Sequence, residues 1–332
     1  MNNASTQSVM ASSHPVYDKK FGYIAYGILL LIIIFSTYIH HFQPQIMHVP
    51  SNTDILSWQT PSFEQTTIYD RMTEGEKERL ITDGVVDGGT LLQQLPNDVF
   101  MILIGWLCFV HARKYYGYWM ASCFLIGSFI FTGLEESLWI LSGRFLGGAI
   151  TFGASMTNQA GEYAAYGSYW FTKGGFWFIE TPIVACIGWF AIAYSCVWVA
   201  GRVFPKMGLW PRAAIGGLIA MGIDLWQDPV ATSPELMNWV WAKGDYLLLF
   251  GIPFYNFIGW FLLIFLFAVF WELLPAMEKK WGRAVATNRF ISICVAGTFG
   301  VYLFIFVLWF GVIGNICSLL GLGHVIQIPM GW

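Results

Sequence analysis

The chain has 332 residues, of which 56% are apolar and only 11% charged, with 17 Lys and Arg against 20 Asp and Glu. A mean hydropathy of +0.57 leaves too little charge to cover a soluble globule of this size, so lipid is the expected solvent. The near balance of charge, without an Arg-rich stripe, gives no footprint for nucleic acid.

In chain order, the polar first twenty residues end in Lys19 and Lys20, and an apolar run follows from Phe21 to Tyr38. That run is long for a signal peptide and has no small-residue cleavage site before His40 and His41, so it reads as a retained first span. Residues 40–96 are rich in Ser, Thr, Gln, Asp and Glu, and Thr73 to Arg79 could start a short surface helix. This segment reads as a solvated extracytoplasmic cap; docking of membrane protein partners is its other use.

Apolar stretches able to cross ~30 Å of hydrocarbon lie near 21–39, 97–112, 117–141, 175–200, 213–227, 247–273 and 290–319. They predict an all-α, polytopic transmembrane bundle of about seven spans, or six to eight if the short second and fifth are re-entrant or extended. A cytoplasmic N-terminus puts Lys19, Lys20, Arg113, Lys114, Arg202, Lys206, Arg212, Lys279, Lys280, Arg283 and Arg289 inside. Only Arg71, Lys77, Arg79, Arg144, Lys173 and Lys243 remain outside, as the positive-inside rule requires. The expected divisions are a cytoplasmic tail at 1–20, the first span at 21–39, the polar segment at 40–96, a membrane core at 97–275, and the last span with an apolar tail at 276–332. From His324 onward, that tail is expected along the outer interface.

The cysteines Cys108, Cys123, Cys186, Cys196, Cys294 and Cys317 sit in apolar runs without CxxC or zinc-type spacing and read as core thiols. His14, His40, His41, His48, His111 and His324 form no HxxxH or HxxHH cluster on a span. No metal site and no cofactor is expected.

Carboxylates within a membrane are expensive and therefore candidate functional groups. The orientation above puts Asp98, Glu135, Glu136, Glu180, Asp224 and Asp228 in one leaflet; Glu272, beside the inner basic cluster, reads as an interface anchor. Glu135 and Glu136 each share a helix face with Trp139. Asp224 and Asp228, four apart, point the same way if the helix reaches Pro229, and are then placed to share a proton. Aromatic residues make up 18% of the chain. Trp139, Trp177, Trp189, Trp226, Trp239, Trp241 and Trp260 lie in or beside the acid-bearing segments, where aromatic faces can line an apolar slot or stabilise a cation. Position at the water interface, without chemistry, is the bland alternative for each acid.

The order Asp224-Leu225-Trp226-Gln227-Asp228-Pro229, Trp239-Val240-Trp241, Gly244-Asp245-Tyr246 and Gly251-Ile252-Pro253-Phe254-Tyr255-Asn256-Phe257-Ile258-Gly259-Trp260 resembles the membrane-bound carotenoid biosynthesis family, which includes carotenoid 1,2-hydratases and bisanhydrobacterioruberin hydratase. Glu135-Glu136, Tyr166 to Tyr169, Thr181-Pro182 and Gly188 to Phe190 fit its pattern loosely, and the likeness covers roughly residues 100–275. The stretch from Arg144 to Tyr166 is longer than that pattern, Tyr246 and Gly251 stand farther apart, and the first span is an addition. A different substrate slot stays open.

The resemblance implies hydration of a terminal isoprenoid double bond in a carotenoid or other long isoprenoid, without a redox cofactor. Alkene protonation needs a strong acid held neutral in an apolar setting, for which Asp224 or Asp228 is the candidate. Glu135 or Glu136, with the Asn256 amide, would place the water. Trp226, Trp239 and Trp241 are the candidate cation faces; Trp139, Glu180, Tyr246 and Trp260 complete the expected substrate site, with Gly251 and Pro253 shaping its turn. Expected partners are this substrate and membrane lipid, with the chain integral to a bacterial or archaeal cytoplasmic membrane. A non-catalytic carotenoid- or lipid-binding subunit and an enzyme on another terpenoid stay open. A proton channel or transporter would spread its acids over both leaflets.

Overall fold

In lipid the backbone must satisfy its own hydrogen bonds, so apolar runs close into helices. The computed structural model describes residues 15–43, 91–145, 169–171, 173–232, 236, 238–241, 247–250, 252–320 and 326–328. The N-terminal tail before Pro15, the polar cap over 44–90 and most of the stretch from Arg144 to Tyr169 lie outside the described residues.

Helix α1 is Pro15–Phe42, α2 is Leu91–Ser128, a π-helical turn covers Phe129–Gly133, and α3 is Leu134–Phe145. After short strands β1 (Tyr169–Phe171), β2 (Trp177–Phe178) and β3 (Thr181–Pro182) come α4 (Ile183–Val203) and α5 (Leu209–Ala231). Strands β4 (Trp239–Trp241), β5 (Leu247–Leu249) and β6 (Ile252–Pro253) precede α6 (Phe254–Glu272), α7 (Leu274–Trp281) and α8 (Arg283–Phe306). A second π-helical segment, Val307–Ile313, then leads into α9 (Gly314–Leu319) and β7 (Ile326–Ile328). Among the described residues, five helices are long and apolar enough to cross a membrane. The polytopic helical bundle expected from hydropathy is therefore present.

One of those five, Leu91–Leu141, is two antiparallel segments. Gly117 at φ 82, ψ 165 breaks α2, in a region glycine enters without a Cβ clash. Before the break, Asp98 Oδ2 accepts the Phe176 N–H at 2.7 Å and His111 Nδ1 meets the Tyr194 hydroxyl at 2.6 Å. Past it, Tyr26 donates to Ser122 at 2.8 Å, and Glu136 comes level with Trp189. The chain thus descends beside α4 and returns against it. Arg283 fixes the Gly117 end by donating to Asp18 at 2.9 Å and to Glu278 at 2.6 Å, with its guanidinium 4.6 Å from the Trp119 ring centre.

Two expected spans start late. Thr181-Pro182 and Ile252-Pro253 are strands, and α4 and α6 begin just after those prolines, whose fixed φ and missing N–H suit a helix start. Of the tail from His324 onward, the described residues form β7, which runs parallel to β5 with Leu248 opposite Gln327. Helix α5, not among the five, is held by packing against α4 and α6. A Cβ on Gly217 would lie 2.7 Å from the Phe261 carbonyl oxygen, so the α5 and α6 backbones meet there. Glu272, read as an interface anchor, pairs with Arg212 at the Gly117 end of the same two helices. Four expected core thiols, Cys123, Cys186, Cys196 and Cys294, are buried, Cys108 is half-buried, and the Cys317 side chain lies outside the described residues.

Candidate active site

All six carboxylates placed in one leaflet are buried: Asp98, Glu135, Glu136, Glu180, Asp224 and Asp228. A carboxylate out of water needs donors, and these acids find them chiefly in neutral groups.

Asp224 and Asp228, one helical turn apart on α5, both face the first turn of α6. There Asn256 Nδ2 donates to Asp224 Oδ2 at 3.0 Å and to Asp228 Oδ2 at 2.7 Å. The two carboxyls are also within hydrogen-bond reach of each other. Their Oδ1 atoms are buried and accept no hydrogen bond among the described residues.

Asp228 and Asn256 border a cavity of about 480 Å³, which Glu136 lines from α3. Glu136 and Asp228 lie within electrostatic reach of one another. The Trp189 indole N–H on α4 donates to Glu136 Oε1 at 2.7 Å, and its ring centre lies 4.1 Å from that of Trp260 on α6. Trp239 closes another wall, with Met101, Ile104 and Ile192 along the apolar part. The arrangement can take the end of an apolar ligand and offer it carboxyl oxygens from two sides.

The neighbouring Glu135 turns away. Trp139 donates to its Oε1 at 2.5 Å and stacks on Tyr255 with centres 5.5 Å apart, so both join the packing between α3 and α6. The preceding π-helical turn, a feature frequent at functional sites, adds a residue just before the two glutamates. Ser137 fixes the segment by donating to the Gly133 carbonyl at 2.9 Å and meeting Thr181 Oγ1 at 3.0 Å.

Strands β1 and β4, which pair Phe171 with Trp239, contribute both of these residues to the cavity lining. Lys173 donates from Nζ to the Leu236 carbonyl beside them, and burial holds its ammonium below the usual lysine range. Outside this ribbon, α1 clamps the loop after Lys173. Ser36 and Thr37 accept the Ile179 and Trp177 N–H groups, each at 2.9 Å, while His40 and His41 bond the Ile179 and Gly175 carbonyls at 2.8 and 2.7 Å.

Other expected site residues take different places. Trp226 is 68% exposed because it sits about 200° around α5 from the face carrying the aspartates; it does not reach the cavity. Glu180 lies with His40, whose Nε2 is 3.9 Å from its Oε2, and is not part of the cavity wall. Pro253 contributes through the start of α6, which carries Asn256 three residues later. The Trp241 side chain, Tyr246 and Gly251 lie outside the described residues. The sequence placed Trp189 among the aromatic residues near the acids but gave it no contact with Glu136, and it did not assign Lys173 to the site. No local spacing connects Trp189 to Glu136, 53 residues away, and the loose Gly188 to Phe190 likeness was the available signal.

A family model described as a carotenoid biosynthesis protein matches residues 160–328, about half of the chain. It takes in Asp224, Asp228, Asn256, Trp189 and Trp260, and it starts and ends later than the expected 100–275. Glu135 and Glu136 lie upstream of it, so their place rests on geometry. No curated protein and no solved structure matches.

Proposed function

The chain belongs to the carotenoid biosynthesis protein family, and from that membership we propose that it is an integral membrane carotenoid hydratase. The observation that carries this reading is the one Asn256 amide bridging two buried aspartates at the edge of an aromatic-walled cavity. Asp228, the member of the pair that borders the cavity, protonates the less substituted carbon of a terminal isoprenoid double bond. A C–H bond forms, and a tertiary cation remains facing Trp239 and Trp260. Water then bonds to the cationic carbon and gives its proton to Glu136. Return of that proton to Asp228 restores the site, so the sum is alkene plus water to tertiary alcohol. Asp224 and Asn256 hold the Asp228 carboxyl in place and share its proton.

On this reading the bundle crosses the membrane seven times, with α2 counted on each side of Gly117 and α5 counted as a crossing. The N-terminus is cytoplasmic, and the membrane is a bacterial or archaeal cytoplasmic one. The test is expression in a lycopene-producing bacterial host, with extracted pigments separated by liquid chromatography and weighed by mass spectrometry. A new pigment heavier by one water, absent in Asp228→Asn, supports the hydratase. Unchanged lycopene and unchanged longer or shorter acyclic carotenoids would sink it.

A further inference from the structure

Resting on that hydratase reading, we propose that Trp189 is the positioning residue that decides whether the cation is captured by water or loses a proton. A tertiary cation has two fates in a closed site. Water can add to it, provided a base takes the water's proton as the C–O bond forms. Otherwise a neighbouring C–H bond breaks, its electron pair forms a shifted double bond, and the proton returns to the carboxylate that delivered it. The second fate needs only the Asp228 carboxylate, already beside the carbon it protonated. The first needs a second base, aimed from elsewhere.

Glu136 is that base, and among the described residues its aim comes from the Trp189 indole. The carboxyl is buried, comes from α3 rather than α5, and has Oε1 tethered by the Trp189 indole N–H at 2.7 Å. Trp189 is itself fixed: it is 5% exposed, belongs to α4, and its ring lies 4.1 Å centre to centre from Trp260 across the cavity wall. One edge of the indole therefore holds the base while the ring borders the space where the cation forms. Glu135, one residue earlier, shows the alternative. Its indole tether comes from Trp139 on its own helix and holds it out of the cavity wall. Two adjacent glutamates are thus sorted by two different tryptophans, and only the one tied to α4 faces the ligand space.

Trp189→Phe keeps an aromatic face against Trp260 and removes only the donor. In the lycopene-producing host, substrate consumption persists in this variant, because Asp228 and Asn256 are untouched. The product shifts from the alcohol to an isomer of unchanged mass with a migrated double bond. The alcohol-to-isomer ratio falls about tenfold or more, the worth of one charge-assisted hydrogen bond. Glu136→Gln shifts the ratio the same way. Growth in heavy water labels the isomer with deuterium, since its formation passes through protonation.

A Trp189→Phe chain that gives only alcohol at the normal rate would reduce Trp189 to packing and overturn the proposal. So would a variant that extracts as intact, monodisperse protein yet consumes nothing, since the defect would then precede the cation. If the wild-type chain adds water to no acyclic carotenoid, the hydratase reading fails and this proposal fails with it. Alcohol from the wild type with an unshifted variant fails this proposal alone.

Discussion

Asn256 reaches across from the first turn of α6 to place its amide nitrogen 2.7 Å from Asp228 Oδ2. The contact joins two helices, and Asp224 shares the same donor at 3.0 Å. Replacing Asn256 by Leu keeps the shape and removes the donor. Leaving buried acceptors unpaired costs on the order of 1–3 kcal/mol, so the detergent-solubilised protein melts at lower temperature. Carotenoid conversion drops by about 100-fold, the usual effect of an acid displaced from its reacting geometry. A normal conversion rate in this variant would remove Asn256 from the mechanism.

Trp226 and Trp260 belong to neighbouring helices but opposite surroundings, one 68% exposed and the other 6%. Trp226→Ala keeps conversion within about twofold, as expected for a surface change. Trp260→Ala opens the cavity and lowers conversion sharply. Pigment yield per amount of extracted protein separates the two, and equal losses would contradict the inward and outward assignment.

The α5 and α6 backbones touch at Gly217, where a Cβ would stand 2.7 Å from the Phe261 carbonyl oxygen. Gly217→Ala therefore pushes the helices apart and destabilises the fold by about 1–3 kcal/mol, loosening the Asp228 to Asn256 contact as well. Gly222, on the same helix, has nothing within 4 Å of its virtual Cβ, and Gly222→Ala serves as the tolerated control. Thermal unfolding of both variants in one detergent decides the matter.

The first helix supports the site at one remove. Ser36 and Thr37 take the Ile179 and Trp177 N–H groups, and the Ser36→Ala, Thr37→Ala double variant orphans both donors. A cost of about 1–3 kcal/mol per unpaired group shows as faster proteolysis between Gly174 and Glu180. Protection equal to wild type would mean that another group holds this loop.

Sidedness is checked by single added cysteines. Lys20→Cys, Lys206→Cys and Lys279→Cys are expected to react with an impermeant thiol reagent in inverted vesicles, and Leu236→Cys in right-side-out ones. Any exchange between these two groups breaks the proposed topology.

The residue order by itself determined the medium, the helices and the family. Apolar runs with few charges permit only lipid-embedded helices, because an unpaired peptide group is too costly there, and Asp224, Asp228 and Asn256 were legible from their motif. The i, i+4 spacing also gave the link between Glu135 and Trp139, which lies within one helix. Relations between helices were decided only by the tertiary structure. Adjacent Glu135 and Glu136 diverge by about 100° around their helix, and sequence cannot say which faces a cavity until the partners of α3 are known. Trp226 looked like part of the aspartate motif because it is a neighbour in sequence, whereas Trp189 joined the site from another helix, 53 residues from Glu136. Packing between helices depends on where backbones come close, as at Gly217, and that contact is non-local, so no periodicity along one segment records it.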